Sequence, residues 1–350
     1  MTDRNPAAFW FLGALVVLFL FAASAPSPLY PLYQERLHFS PITLTAIYAV
    51  YAAGGLASLL TTGRLSDHLG RRPVVAIALV IQLAGMAAFI VAEDVATLFV
   101  ARTLQGVATG IAIGALSAWL LDLAPGGNAR LGSLVSGIGV IAGLGSGALV
   151  SSILAEVADD PVHLVYWLLV ATYVAALLAI LVVPDVVRRR PGWLASMRPD
   201  VGVPRPARRA FVAATPSLIA TWALGGLYLS LGPTLAISLV NSDSRLAGGA
   251  VIAALAITGA VTSSIVRDAD PRPTAIGGSV ILIGGVAVTL GGVALASPGV
   301  FYAGSFIAGV GFGPAFAAVV RSVGPLAPPE RRGALLAAVY IVTYCAFSIP

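Results

Sequence analysis

The chain predicts an all-α integral membrane protein made of two successive helix bundles, and three observations carry that prediction. Of its 350 residues, 58% are hydrophobic and 10% charged, with a mean hydropathy of +0.95, where soluble domains carry about 25% charged residues. Apolar runs of about 20 residues, the length that crosses ~30 Å of hydrocarbon, recur along the whole chain. The cations, all arginine, are sorted into alternate loops. One cysteine, Cys345, lies inside an apolar run, which excludes an internal disulfide framework and a cysteine-rich metal site.

The apolar runs cover about residues 7–29, 42–62, 74–92, 95–121, 131–155, 164–183, 211–239, 247–266, 274–296, 299–322 and 334–350, eleven candidate spans. With the N-terminus inside, 17 of the 20 arginines fall on the cytoplasmic side, Arg36 and Arg245 fall outside, and Arg102 lies in a helix. Positively charged short loops stay inside, so this sorting fixes the orientation in the plasma membrane. The outer loops carry Glu35, Glu93, Asp94, Glu156, Asp159, Asp160 and Asp243 instead. Topology therefore accounts for the net charge of +5, and nucleic acid is not implied. The first run has one arginine before it and many spans after it, so it reads as a retained helix and not as a cleaved leader.

Three matches at nearly equal offsets divide the chain. Leu123-Ala124-Pro125 returns as Leu326-Ala327-Pro328, Arg72-Pro73 as Arg272-Pro273, and Phe99 with Ala101 as Phe301 with Ala303. Parallel repeats produce this pattern. The expected organisation is a six-helix bundle over 1–183, a basic cytoplasmic linker over 184–210, and a second bundle over 211–350 that breaks off in span eleven with no twelfth span. The linker, with Arg188-Arg189-Arg190 and Arg208-Arg209, reads as a solvated spacer; the alternative is a surface-lying amphipathic piece around Trp193.

Between spans two and three stands a polar hinge, Gly63-Arg64-Leu65-Ser66-Asp67-His68-Leu69-Gly70-Arg71-Arg72-Pro73. Gly63 lets two helices approach closely, Gly70 permits a turn with positive φ, and Pro73 suits the first turn of the next helix. Asp67 and Arg71 are close enough in sequence to pair across the turn. The spacing G-x-L-x-D-x-x-G-R-R resembles the signature loop between helices two and three of the major facilitator superfamily. That resemblance implies two parallel six-helix bundles and a part for Gly63, Asp67, Gly70, Arg71 and Arg72 in the switch between inward-open and outward-open states. It also implies that Asp122, an acid at the unfavourable C-terminal end of span four, joins Arg71 and Asp67. In the second repeat Arg267 stands where the first has Asp67, so the hinge there is degenerate.

Span four begins Arg102-Thr103-Leu104-Gln105-Gly106, which resembles the R-x-x-x-G pattern of the same family. An arginine in a membrane helix costs about 2.5 kcal/mol or more at the centre. Arg102 therefore either snorkels to the outer interface or, with Gln105 one turn away, serves coupling or organises a polar cavity. The first run ends with Pro26, Pro28 and Pro31, which interrupt the helix, and broken helices are tolerated where they line a cavity. Tyr30, Tyr33, Gln34 and Glu35, with Tyr48 and Tyr51 of span two, are candidates for the outer cavity wall or for an interfacial aromatic belt. Trp222, Tyr228, Tyr340 and Tyr344 are their counterparts in the second half. In span five Gly139, Gly143 and Gly147 belong to a small-residue stripe suited to helix packing. The stripe also resembles the family's antiporter motif G-x-x-x-G-P-x-x-G-G, with Leu144 in place of the proline.

No enzyme chemistry stands out. His38, His68 and His163 all fall in loops, no carboxylate pair is set within a span, and without lysine there is no phosphate-binding G-x-x-x-x-G-K-[ST] run. No cofactor and no metal are expected. The expected function is a secondary transporter that works as a monomer in the lipid bilayer and moves a small organic solute by alternating access, with proton-coupled efflux of apolar or amphipathic compounds as the leading reading. The alternatives are uptake of a neutral nutrient such as a sugar, and a non-transporting scaffold or sensor.

Overall fold

The computed structural model describes all residues except 1–5, 186, 188, 189, 241–243, 329, 330, 349 and 350, and the side chain of Arg332. The expectations placed on Arg188, Arg189 and Asp243 lie outside the described residues.

Every regular element among the described residues is helical. The first run forms α1 (Pro6–Ser24), a 3-10 turn (Ser27–Leu29) and α2 (Tyr30–Leu37). There follow α3 (Pro41–Thr62), the short α4 (Leu65–Leu69), α5 (Arg71–Ile90), α6 (Val95–Leu123), α7 (Ala129–Val157) and α8 (Pro161–Ile180). The linker holds α9 (Trp193–Ser196), and the rest of the chain forms α10 (Arg208–Ser230), α11 (Gly232–Val240), α12 (Leu246–Ile265), α13 (Pro271–Ala294), α14 (Pro298–Val323) and α15 (Arg332–Phe347). Ten segments, with α1 and α2 taken as one, are long and apolar enough to cross a membrane, and α15 is a shorter apolar helix. Two expectations change. The seventh run is two helices and not one, and His68 and His163 sit inside α4 and the first turn of α8 and not in loops.

Helix starts are written locally. Ser40, Asp94, Asn128 and Asp160 each accept the backbone N–H three residues on, and Pro41, Pro161, Pro271 and Pro298 occupy first helical positions, where no N–H is needed. Breaks are local too. Pro26 supplies no N–H to the Ala22 carbonyl four residues back, and Pro233 supplies none to Leu229, so each break leaves a carbonyl seeking a donor.

The central helix of the first group is α6, which packs on α1, α3 and α5 and buries Leu98, Ala108, Leu116 and Trp119 completely. Its approach to α3 requires glycine: a Cβ on Gly106 would lie 2.1 Å from the Tyr51 carbonyl oxygen, and one on Gly110 2.3 Å from that of Gly55. In the second group α14 takes the same central place among α10, α12 and α13.

The groups meet along α7 with α12 and along α3 with α15. The α7–α12 seam is closed at both ends. Where α7 ends and α12 begins, the Glu156 carboxylate accepts the backbone N–H of Arg245 (2.6 Å) and Leu246 (3.2 Å), while Arg245 Nη1 donates to the Ala155 carbonyl at 2.9 Å. At the other end, beside the start of α7, Arg130 pairs with Asp268.

The linker is more than a solvated spacer. Trp119 Nε1 donates to the Pro184 carbonyl (3.2 Å), Arg190 N–H to that of His68 (2.9 Å), and Arg64 Nη2 to that of Arg198 (3.3 Å), so the chain after α8 is tied back onto the hinge.

Candidate functional site

Two polar constellations among the described residues gather expected site residues, one at the hinge between α3 and α5 and one buried between helices. The hinge centres on Arg71, whose side chain is 9% exposed. Its Nη1 donates to Asp67 Oδ1 at 2.5 Å and to Ser66 Oγ at 2.6 Å, and its Nε to Asp122 Oδ2 at 3.0 Å. Asp67 is half exposed and Asp122 less so. Gly63 ends α3 in helical conformation, and Gly70 stands at φ 98°, ψ 157° just before α5. The first N–H groups of α5, those of Arg71 and Arg72, donate to the Asp185 carboxylate at 3.2 and 3.1 Å, and Arg72 Nη1 donates to the Leu181 carbonyl at 3.1 Å. An acid at a helix N-terminus satisfies orphan N–H groups and suits the positive end of the helix dipole.

The second constellation is the broken end of α1. The Ala22 carbonyl freed by Pro26 accepts from Gln105 Nε2 at 2.7 Å, and the neighbouring Ala23 carbonyl accepts from Arg102 Nη1 at 2.8 Å. Ser151 Oγ of α7 donates to the Ala25 carbonyl at 2.6 Å. Arg102 Nη1 also donates to Gln105 Oε1 at 2.5 Å, a pair placed on one face of α6 by its i,i+3 spacing. Arg102 is 0% exposed and enters α6 about 10 Å along the axis from the helix N-terminus, at 1.5 Å per residue. It does not snorkel. Its guanidinium carbon lies 4.5, 5.2 and 5.5 Å from the ring centroids of Tyr48, Tyr51 and Tyr30, each a cation–π contact worth roughly 0.5–2 kcal/mol. Its Nε and Nη2, and the Tyr30 hydroxyl, close no hydrogen bond.

Tyr48 joins this cage to the second group of helices. Its hydroxyl donates to the Leu229 carbonyl at 2.6 Å, so the Ser27 hydroxyl, 2.6 Å away, must donate to Tyr48. Leu229 is the residue whose carbonyl Pro233 leaves unserved.

The remaining expected residues are dispersed. Tyr33 is buried, with its hydroxyl donating to the Phe89 carbonyl at 3.4 Å. Gln34 turns to the Phe39 carbonyl at 3.5 Å, and Glu35 is exposed at the end of α2, away from the cage. Tyr344 packs on Gly55 of α3, one turn from Tyr51, and Tyr340 is half-buried one turn along α15. Trp222 sits among Phe312, Phe316 and Phe347, while the Tyr228 hydroxyl bonds Ser305 Oγ at 2.9 Å and Thr289 Oγ1 at 3.2 Å, apart from the cage. Gly139, Gly143 and Gly147 face α1; a Cβ on Gly147 would lie 2.2 Å from the Phe21 carbonyl oxygen. An apolar groove of about 560 Å³ between α1, α7 and α8, lined by Phe11, Leu15, Phe21 and Leu168, holds none of these residues.

Sequence reasoning missed Ser66, Asp185, Gln82 and Tyr166. Asp185 is a lone acid opening an arginine-rich linker, and Gln82, fully buried with its amide unpaired, is the one polar side chain of its apolar run. Tyr166 stacks on Phe89 at 4.6 Å with its hydroxyl unpaired. Among the described residues no cluster of histidine, cysteine or acid is grouped to hold a metal.

A family model described as Major Facilitator Superfamily matches residues 11–349. The fold is similar to that of a bacterial homologue of the human lysosomal transporter Spinster, solved inward-facing and unoccupied, at a TM-score of 0.72 and 14% identity over 100% of this chain and 80% of that one. It is also similar to the human organic anion transporter MFSD10 (TETRAN), at a TM-score of 0.67 and 18% identity over 99% and 92% of the two chains. No curated protein sequence matches the chain.

Proposed function

Because the chain belongs to the major facilitator superfamily and is thus a multi-pass membrane transporter, we propose that it moves a small organic solute by alternating access and exports it from the cell, with the proton gradient as the drive. The moving units in this reading are the bundles over 1–183 and 211–350, joined by the linker over 184–210, with the N-terminus in the cytoplasm. The observation that carries it is the Tyr48–Leu229 tie, which crosses between the bundles at the edge of a buried guanidinium. A bond of this kind is released and remade without unfolding either bundle, as a site opened alternately to the two faces requires.

Export of amphipathic compounds is favoured by the character of the spans. Arg102 is the charged side chain buried at depth, while the acids stand at helix ends and in loops. Asp67, Arg71 and Asp122 form the cytoplasmic latch in this reading, because a buried cation held by two partly exposed acids is stable only while α4, α5 and α6 keep their present spacing. The test is reconstitution of the chain in liposomes with an imposed pH gradient and a panel of amphipathic dyes. Outward movement that collapses with the gradient is expected; dye movement indifferent to the gradient would overturn the coupling, and inward accumulation of a neutral sugar without dye movement would overturn the direction.

A further inference from the structure

We infer that the solute carries an anionic group, a carboxylate or a sulfonate, and that Arg102 is its counter-ion. The inference rests on the transporter reading above and adds the substrate class. Arg102 is buried completely and makes no ion pair among the described residues. The fifteen acids of the chain leave the middle of every span empty of negative charge, so the membrane-buried region carries one unit of positive charge that no carboxylate among the described residues offsets.

The hydrogen bonds of Arg102 say where an anion would dock. Nη1 is spent on Ala23 and Gln105, while Nε and Nη2 are unpaired. Those two nitrogens form one edge of the planar guanidinium, the fork that accepts both oxygens of a carboxylate side by side. The unpaired hydroxyl of Tyr30 stands in the same cage and offers a further donor. The strut to α1 thus uses one side of the group and leaves the anion-binding side free. Three tyrosine rings hold the cation while the fork is empty, through contacts that are weaker than a bidentate ion pair and leave Nε and Nη2 without a hydrogen-bond partner. Tyr48 is both a wall of this cage and the tie to Leu229 of the second bundle, so the route to the fork opens where the two bundles separate.

The experiment uses the full chain in nanodiscs of phosphatidylcholine alone, which hold no anionic lipid to occupy the fork. Binding is measured for three matched pairs: 1-naphthoate and its amide, benzoate and benzamide, and N-dansylglycine and its amide. At least one acid should bind tenfold or more tighter than its amide, the scale of a charge-assisted bidentate contact. In Arg102→Gln that preference should fall below about twofold, and Arg102→Lys, which keeps the charge without the fork, should retain part of it. Should Arg102→Gln fail to fold, Arg102→Lys and the wild-type comparison carry the test. Equal binding of acids and amides, or an acid preference that survives in Arg102→Gln, overturns the inference. Counterflow in liposomes separates this failure from the broader one: amides moved without the acids leave the transporter reading standing and remove the anion, whereas no binding and no movement of any probe counts against both.

Discussion

Gly70 and Asp185 should be energetically inseparable. Gly70 stands at φ 98°, ψ 157°, a region open to glycine and costing other residues about 1–3 kcal/mol. A Cβ added there would lie 2.5 Å from Asp185 Oδ2 and 3.3 Å from its Cγ, so the carboxylate has to swing away. Swinging away abandons the N–H groups of Arg71 and Arg72, and loss of an N-terminal cap costs about 0.5–2 kcal/mol. Gly70→Ala therefore carries both terms, roughly 1.5–5 kcal/mol, while Asp185→Ala carries the second alone. In the double variant the cap is already gone, so adding Gly70→Ala to Asp185→Ala should cost only the backbone strain, and the cycle should be sub-additive by about the value of the cap. Denaturation of the four proteins in one detergent, followed by far-UV circular dichroism, measures this. Strict additivity, or a Gly70→Ala cost below about 0.5 kcal/mol, would refute the reasoning.

Four further outcomes are expected. Asp67→Asn should slow transport about five- to hundredfold, the scale of 1–3 kcal/mol at a two-state element, with little change in ligand affinity or melting temperature, since Arg71 keeps Asp122 and Ser66; a loss of affinity as large as the loss of rate would make Asp67 a structural residue. Gly249→Ala puts a Cβ 2.1 Å from Ser152 Oγ and 2.4 Å from the Ala148 carbonyl oxygen on α7, so the seam should lose about 1–3 kcal/mol, read as a lower melting temperature than the wild type's. Tyr48→Phe strands the Leu229 carbonyl and should weaken the contact between α3 and α10 by about 1–3 kcal/mol, seen as faster amide exchange over residues 226–236. Asp94, whose carboxylate accepts the Thr97 N–H at 2.7 Å, titrates below its ordinary 3.8 because that bond favours the charged form; its stabilisation is present above that pH and lost as pH falls through the lowered value, so the melting gap between wild type and Asp94→Ala should hold at pH 7 and close only below 3.8.

What was legible in the sequence was whatever a short stretch encodes alone. Span length, the proline break after α1, the four-residue spacing of Asp67 and Arg71 and the need for glycine at 70 depend on neighbours within one turn. Asp122 came through family resemblance, since nothing local joins it to a residue 51 positions earlier. Asp185 lies 114 positions from Arg71, and its place depends on how α8 leaves the bundle and where the linker folds back, which no periodicity records. Arg102 was ambiguous for a similar reason: composition says that the cation is costly, but only the rotation of α6 decides whether it reaches water or Ala23. The glycine stripe of α7 announced close packing without naming α1 as the partner, because a small residue leaves space on any helix that faces it.

The two proline breaks solve one problem in opposite ways. Pro26 frees the Ala22 carbonyl, and the donor that answers, Gln105, belongs to the same group of helices and is itself held by Arg102. Pro233 frees the Leu229 carbonyl, and the donor, Tyr48, comes from across the seam. The first bond survives any rigid movement of one bundle against the other; the second is lost in it. A buried carbonyl left without a donor costs about 1–3 kcal/mol, so parting at Tyr48 is favourable only when water reaches Leu229 as the tyrosine leaves. Tyr48 is also a wall of the Arg102 cage. If the two groups of helices part as proposed, hydration of the Leu229 carbonyl and exposure of the Arg102 guanidinium are expected to occur together.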